Sequence, residues 1–231
     1  MNKKTAAIAV VLVVLVGGGV WYANRGGAPE APGGRPLPVP APTADTPPPM
    51  PTAEEADNRA RALIVGLSPR AELAAWAQQK DLVRRFVALV DNVADGKVPR
   101  PQFEFLVPRS PFKPGATDRW NTFADVVASV DAQKLAAAYK ELHPLFDAAY
   151  REMAPPGATF DSRMKEALAR VAATPAPEKM PAVKPAGALY VYVDPKLEEL
   201  KPAEKQLLRM GPRNQKLVQD KARELSKALG F

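Results

Sequence analysis

Cysteine is absent from the chain. That excludes disulfides, zinc–thiolate sites, iron–sulfur clusters, thiol nucleophiles and a lipid-modified cysteine anchor. A single histidine removes most transition-metal and general-base designs. Acidic residues are the minority charge, 25 against 32 basic, for a formal +7. Four of the 32 bases and two of the 25 acids precede residue 54, which leaves 28 − 23 = +5 for the rest. Such an excess favours anionic partners only where it gathers on one face. Proline, in contrast, is abundant, with 26 among 231 residues. A chain of that length with 46% hydrophobic residues can bury one good core or at most two small ones.

The N-terminus reads MNKK and then TAAIAVVLVVLVGGGVWYAN, without a charge until Arg25. As a helix, residues 5–24 would span about 30 Å, the hydrocarbon thickness of a bilayer. Ala6, Leu12 and Leu15 would face lipid. Trp21 and Tyr22 would lie at the far interface, and Lys3 and Lys4 would hold residues 1–4 in the cytoplasm. A single-pass signal anchor in the bacterial inner (cytoplasmic) membrane is the expectation, with the C-terminal bulk in the periplasm or outside. The alternative is a cleaved signal peptide cut after Gly19; a cut after Ala23 would put Trp21 where a small residue belongs. Residues 25–53 read as a proline-rich linker. Residues 29–51 hold ten prolines, a semi-rigid polyproline spacer of roughly 70 Å at about 3.1 Å per residue.

From residue 54 to 231 the patterning is mainly α, one helical globular domain. Thr52 and Glu55 form a capping box for a helix running to about Gly66, and Ser68-Pro69 reads as the start of the next. Leu82, Phe86, Leu89, Val90 and Val93 make a stripe that ends at Gly96. Asp131 reads as an N-cap, followed by Leu135, Tyr139, Leu142, Phe146, Ala149, Tyr150 and Met153 on one face, with a kink expected at Pro144. Phe160, Met164, Leu168 and Val171 form another stripe, and Val218, Ala222, Leu225 and Leu229 the last. FEFLV at 103–107 and ALYVYV at 188–193 alternate between prolines and suggest a short two-stranded β ribbon.

LVRRFVALVDNVADGKVP (82–99), ELHPLFDAAY (141–150), FDSR (160–163), AATP (172–175) and DPKLEELKPAEKQLLRMGPRN (194–214) resemble the bacterial family catalogued as domain of unknown function three thousand and fourteen. LVRRFV and KQLLRMGP-N are its specific blocks. The resemblance implies a single-pass, N-terminally anchored envelope protein with a proline-rich linker, and it carries no reaction. Two positions depart from the family pattern: His143 stands where Tyr precedes Pro-Leu, and Asp161-Ser162 where Asn-Asp is usual.

No cofactor motif is found, and nothing gathers into a catalytic cluster. Asp147, four residues after His143, could orient the imidazole, but no serine sits in a strand-to-helix elbow, so packing is the better reading of His143. Glu141, Glu152 and Glu166 could serve a carboxylate hydrolase acting on peptidoglycan, yet each has basic neighbours that would pair with it. The candidate binding or structural basic residues are Arg84, Arg85, Lys97, Arg163, Lys201, Lys205 and Arg209. Arg85 follows Asp81 at the spacing of a helical ion pair, and Arg163 is expected to satisfy carboxylates or helix-end carbonyls. On a helical wheel Leu200, Ala203, Leu207 and Met210 share one face, with Lys201, Lys205 and Arg209 opposite, as for a solvated back. Gly211 and Pro212 should stop that helix and start the next. Residues 97–119 interleave basic side chains with Phe103, Phe105 and Phe112. In the cytoplasm that pattern would raise single-stranded nucleic acid. An exported domain points instead to an anionic wall polymer, lipid or an envelope protein. The reading is a non-enzymatic binding or scaffolding domain on a membrane anchor, with a carboxylate hydrolase as the alternative.

Overall fold

The computed structural model describes residues 51–98, 112–187 and 189–231. The expected membrane span, nearly all of the proline-rich linker and the FEFLV segment lie outside the described residues. Among the described residues no helix is long and apolar enough to cross a membrane.

Helix α1 covers Ala53–Val65 and opens with the expected capping box between Thr52 and Glu55. α2 is short, Ala71–Trp76, and starts later than Ser68-Pro69 suggests. Ser68 does not cap it: its Oγ bonds the Ser129 hydroxyl at 2.7 Å and accepts from the Arg70 amide at 3.1 Å, closing a turn instead. α3 covers Leu82–Ala94 and buries all five residues of its stripe. A 3₁₀ turn, Asp118–Trp120, leads into α4, Asn121–Ala128. α5 runs from Ala132 to Arg151 as one helix through Pro144, and the Asp131 carboxylate accepts from the Gln133 and Lys134 amides as an N-cap. Its apolar face is buried on both sides of the proline, but Met153 is 54% exposed. The helix ends at Arg151, so Met153 falls past the last turn and off the stripe. α6, Phe160–Ala173, is capped by Thr159.

The ribbon exists, with a different partner from the one FEFLV suggests. Val183–Ala186 (β1) pairs antiparallel with Leu189–Tyr192 (β2) in a hairpin turning at Gly187. Three helices complete the described chain: α7 (Pro195–Glu198), α8 (Pro202–Arg209) and α9 (Pro212–Leu229).

α3 lies at the centre, against α1, α5 and α6, while α9 packs on α4, α5 and α6. At the hub, Phe86 meets Phe146 at 4.8 Å and Phe160 at 5.9 Å between ring centroids. Aromatic pairs at such tilted geometries add to the burial of their area. Between α8 and α9, Gly211 has φ +85° and ψ 161°, a region that only glycine adopts readily. A Cβ there would come within 2.5 Å of Thr117 Cγ2. α8 stops and α9 starts at Gly211-Pro212 as expected, but Met210 is the C-cap of α8 and Gly211 the N-cap of α9; the close approach to Thr117 is what the tertiary fold adds.

Candidate functional site: a polar seam and an apolar cavity

A helix ends with carbonyls that have no partner of their own and with a negative dipole end. None of α1, α2, α3 or α4 carries a basic residue in its last turn. The cations come from other elements. Arg61 of α1 donates to the carbonyls of Ala77 (2.5 Å) and Gln79 (3.2 Å), past the end of α2. Arg170 of α6 forks onto the Ala94 carbonyl at 2.8 and 3.1 Å, and Arg163 reaches the Asp91 carbonyl at 3.0 Å, both at the end of α3. Lys221 of α9, a buried lysine, donates to the Val130 carbonyl at 2.6 Å after α4. The end of α6 is served by amides: Gln219, fully buried, donates to the Val171 and Thr174 carbonyls at 3.0 and 2.7 Å, and Gln215 to that of Pro175 at 2.6 Å.

Of the seven candidate basic residues, Arg163 and Lys201 join this scheme and the other five bond elsewhere. Arg163, with its side chain 17% exposed, pairs with Asp91 (2.7 Å), Asp95 (2.6 Å) and Glu166 (2.7 Å). Burial opposes its charge, but the Asp95 and Asp91 carboxylates outweigh that and hold it more firmly protonated than a free arginine. Asp95 in turn is held down at about 2, first by Lys97 at 2.7 Å and then by Arg163. Arg84 pairs with Glu152 at 2.9 Å on the surface. Arg85 does not form the expected ion pair with Asp81. Asp81 lies before α3 with φ +58°, and the Arg85 Nε donates to the Lys80 carbonyl at 2.8 Å.

The basic stripe along α8 faces open water only in part: Lys201 is exposed, and Lys205 and Arg209 are half-buried. Lys201 lies across Gly96, whose φ is +74° and where a Cβ would sit 2.7 Å from the Lys201 Cβ; its Nζ donates to the Asp95 carbonyl at 3.2 Å. Lys205 is half-buried and pairs with Glu198, whose carboxyl is held below the usual range by Lys205 and by the Tyr192 amide. Arg209 stands over the Phe112 ring, 5.3 Å from its centroid, and reaches the Tyr190 carbonyl at 3.4 Å. The wheel is right that these residues oppose the core. The hairpin and its following turn cover Lys205 and Arg209, which corrects the expectation of a solvated back for those two, whereas Lys201 is exposed as expected. Most of the 97–119 basic segment lies outside the described residues.

His143 meets Asp161 at 3.1 Å through Nε2, nearer than Asp147 at 3.9 Å. The His143 imidazole and the Asp161 carboxylate thus face one another. Asp161 also accepts from the Tyr139 hydroxyl at 2.6 Å, and burial followed by this bond keeps that phenol protonated. Glu141, Glu152 and Glu166 are each paired with an arginine: Arg59, Arg84 and Arg163. None of the three sits as a lone acid in an apolar pocket. Among the described residues no group of histidine and carboxylates is arranged to hold a metal ion.

Sequence reading missed the other feature. Between α1, α2, α3 and α5 lies a half-open apolar cavity of about 40 Å³, or about 470 Å³ counting its mouth. Ala60, Leu63, Ile64, Leu67, Trp76, Leu82, Val83, Phe86, Leu135, Ala138, Tyr139, Leu142 and Phe146 line it. Leu63 is the lining residue left half-buried; the others are buried. Trp76, 4% exposed, has its Nε1 buried without a hydrogen-bond partner. The run AELAAW places Leu73 and Trp76 on one face, which marks Trp76 as core but not as a donor left open.

The family model described as Protein of unknown function (DUF3014) matches residues 82–226. The chain belongs to that family. No curated protein and no solved structure matches it. The DUF3014 match runs from the start of α3 into α9 and so contains the Arg163–Asp95 seam, whereas α1 and α2, which supply Trp76 and one wall of the cavity, precede it.

Proposed function

We propose that the chain is a membrane-tethered, non-enzymatic binding domain of the bacterial envelope, anchored through residues 5–24 and exported beyond the inner membrane. The binding reading is supported by where the charged groups go. The arginines, lysines and carboxylates best placed for chemistry are engaged with one another or with helix ends, and the cavity between α1, α2, α3 and α5 is apolar. The tether reading rests on MNKK, the uncharged run and Trp21-Tyr22. Protease added to spheroplasts is expected to remove the domain and leave a short membrane-bound stub. A fully protected domain would reverse the orientation, and a soluble mature chain beginning near residue 20 would replace the anchor with a cleaved leader. The hydrolase alternative has no lone buried carboxylate in its favour.

A further inference from the structure

Two of the four large apolar side chains that stand out in water among the described residues belong to the β1–β2 hairpin: Leu189, 72% exposed, and Val193, 51%. They share a face. Alternation along β2 turns Tyr192 inward, where it is buried and donates its hydroxyl to the Lys205 carbonyl of α8 at 3.3 Å, and so turns Leu189 and Val191 outward. Val193, whose amide bonds the Ala182 carbonyl at 3.0 Å, continues that row. The register sets Ala186 opposite Leu189 and Lys184 opposite Val191. Lys184 is exposed and makes no ion pair or hydrogen bond among the described residues. From Met180 to Val193 it is the one charged side chain, and no acid interrupts the run.

Area and charge decide what covers this face. A stable protein interface takes about 20–30 residues a side and keeps charge out of its centre. Here a handful of apolar side chains surrounds a lysine, and the ground beyond is polar: Glu178, Lys179, Asp194 and Lys196 are all exposed. A lipid interface sets no such minimum, since each apolar side chain that enters adds its own burial. A lysine just behind the apolar edge lays its stem along that edge and its ammonium among the phosphates. Lys184 stands two residues behind Ala186, about 7 Å along the strand, which matches the depth to which an apolar face sinks below the headgroups. We infer that the tip of the hairpin inserts into an anionic phospholipid surface, with Ala186 and Leu189 entering the acyl boundary and Lys184 meeting headgroup phosphates. The inference names the partner of the binding domain proposed above and rests on that reading for its tether, which makes a weak contact intramolecular. The tether has the reach. It enters on the side of α3 that Asp57 caps, and the hairpin rests on α8, which meets the other end of α3 at Gly96. The 13 residues of α3 span about 20 Å, well inside the roughly 70 Å of the linker.

Because the chain has no cysteine, one introduced thiol reports one position. The full chain with Ala186→Cys, labelled with the environment-sensitive dye NBD, is assembled into nanodiscs of POPC containing POPG. Ala137→Cys, at an exposed position of α5, carries the same dye as the reference. The dye at 186 should emit at shorter wavelength than the dye at 137 and be quenched by doxyl-labelled lipid. Adding Leu189→Asp should remove both effects while far-UV helicity is retained. Adding Lys184→Gln should weaken them in discs that contain POPG and change nothing in discs of POPC alone. A dye at 186 that stays as exposed to water as the dye at 137 in POPG discs overturns the inference. So does an unaltered signal in folded Leu189→Asp. A blue shift that doxyl lipid does not quench assigns the face to a protein contact, a second copy of the chain included, and overturns it as well. A chain that fails to co-elute with the discs defeats the tether reading alone, and the same two labels are then read by the same criteria against POPC/POPG vesicles.

Discussion

The two halves of α3 meet opposite kinds of neighbour. Its first turns, Leu82, Val83 and Phe86, border the apolar cavity. Its last turn is held by arginines from α6 and, just beyond, by a lysine before α8. Even the N-terminal cap follows this division of charge: the buried Asp57 of α1 accepts from the Asp81 and Leu82 amides at 2.7 Å each, an acid at the positive end of the helix dipole. The same helix is thus clamped electrostatically at both termini, while the side of its first half facing α1 and α5 is left loosely filled. A basic composition need not mean an anionic partner when the cations complete other helices.

Removing a ring from the hub breaks this picture most severely. Phe86→Ala should destabilise the domain by about 3–5 kcal/mol in urea unfolding, the usual range for a buried aromatic. A negligible change would mean that the first half of α3 is not core, and the cavity would lose its floor.

The seam end is tested by acid. Asp95 has its pKa lowered to about 2 by Lys97 and Arg163. A carboxyl lowered on folding gives stability that is fully present above its unfolded value near 3.8 and is lost as pH falls through the folded value. Asp95→Asn should therefore melt lower than wild type at pH 6, and the gap should close between about pH 4 and pH 2. A gap that persists at pH 2 would assign the loss to packing rather than to charge.

The stripes on α3, α5, α6 and α9 could be read in the sequence because helical periodicity is local, and so could the caps at Thr52 and Asp131, whose acceptors and donors lie within three residues. The interhelical caps could not. Arg170 and Ala94 are 76 residues apart and Lys221 and Val130 are 91 apart, and the acceptors are backbone carbonyls, which no residue type announces. β1 was hidden for another reason: VKPA carries lysine and proline, poor strand formers, and pairs because the turn at Gly187 folds it onto LYVY. The α8 stripe was placed on the correct face, but a wheel cannot show that a hairpin returns to cover Lys205 and Arg209. The cavity, a gap between four helices, has no local signature at all.

The direct test sets the stripe on α8 against an equal loss of charge elsewhere. Lys201→Gln, Lys205→Gln and Arg209→Gln are combined in one variant, and the exposed Lys80, Lys140 and Lys165 are replaced by Gln in another. Urea stability and retention on an anionic polymer are measured for both. If the stripe completes helix ends and holds the hairpin, the first variant should lose about 1–2 kcal/mol, a modest sum for partly exposed contacts, and its retention should fall no further than that of the second. Unchanged stability together with a selective loss of retention in the first variant would contradict this and restore the stripe as a polyanion-binding face.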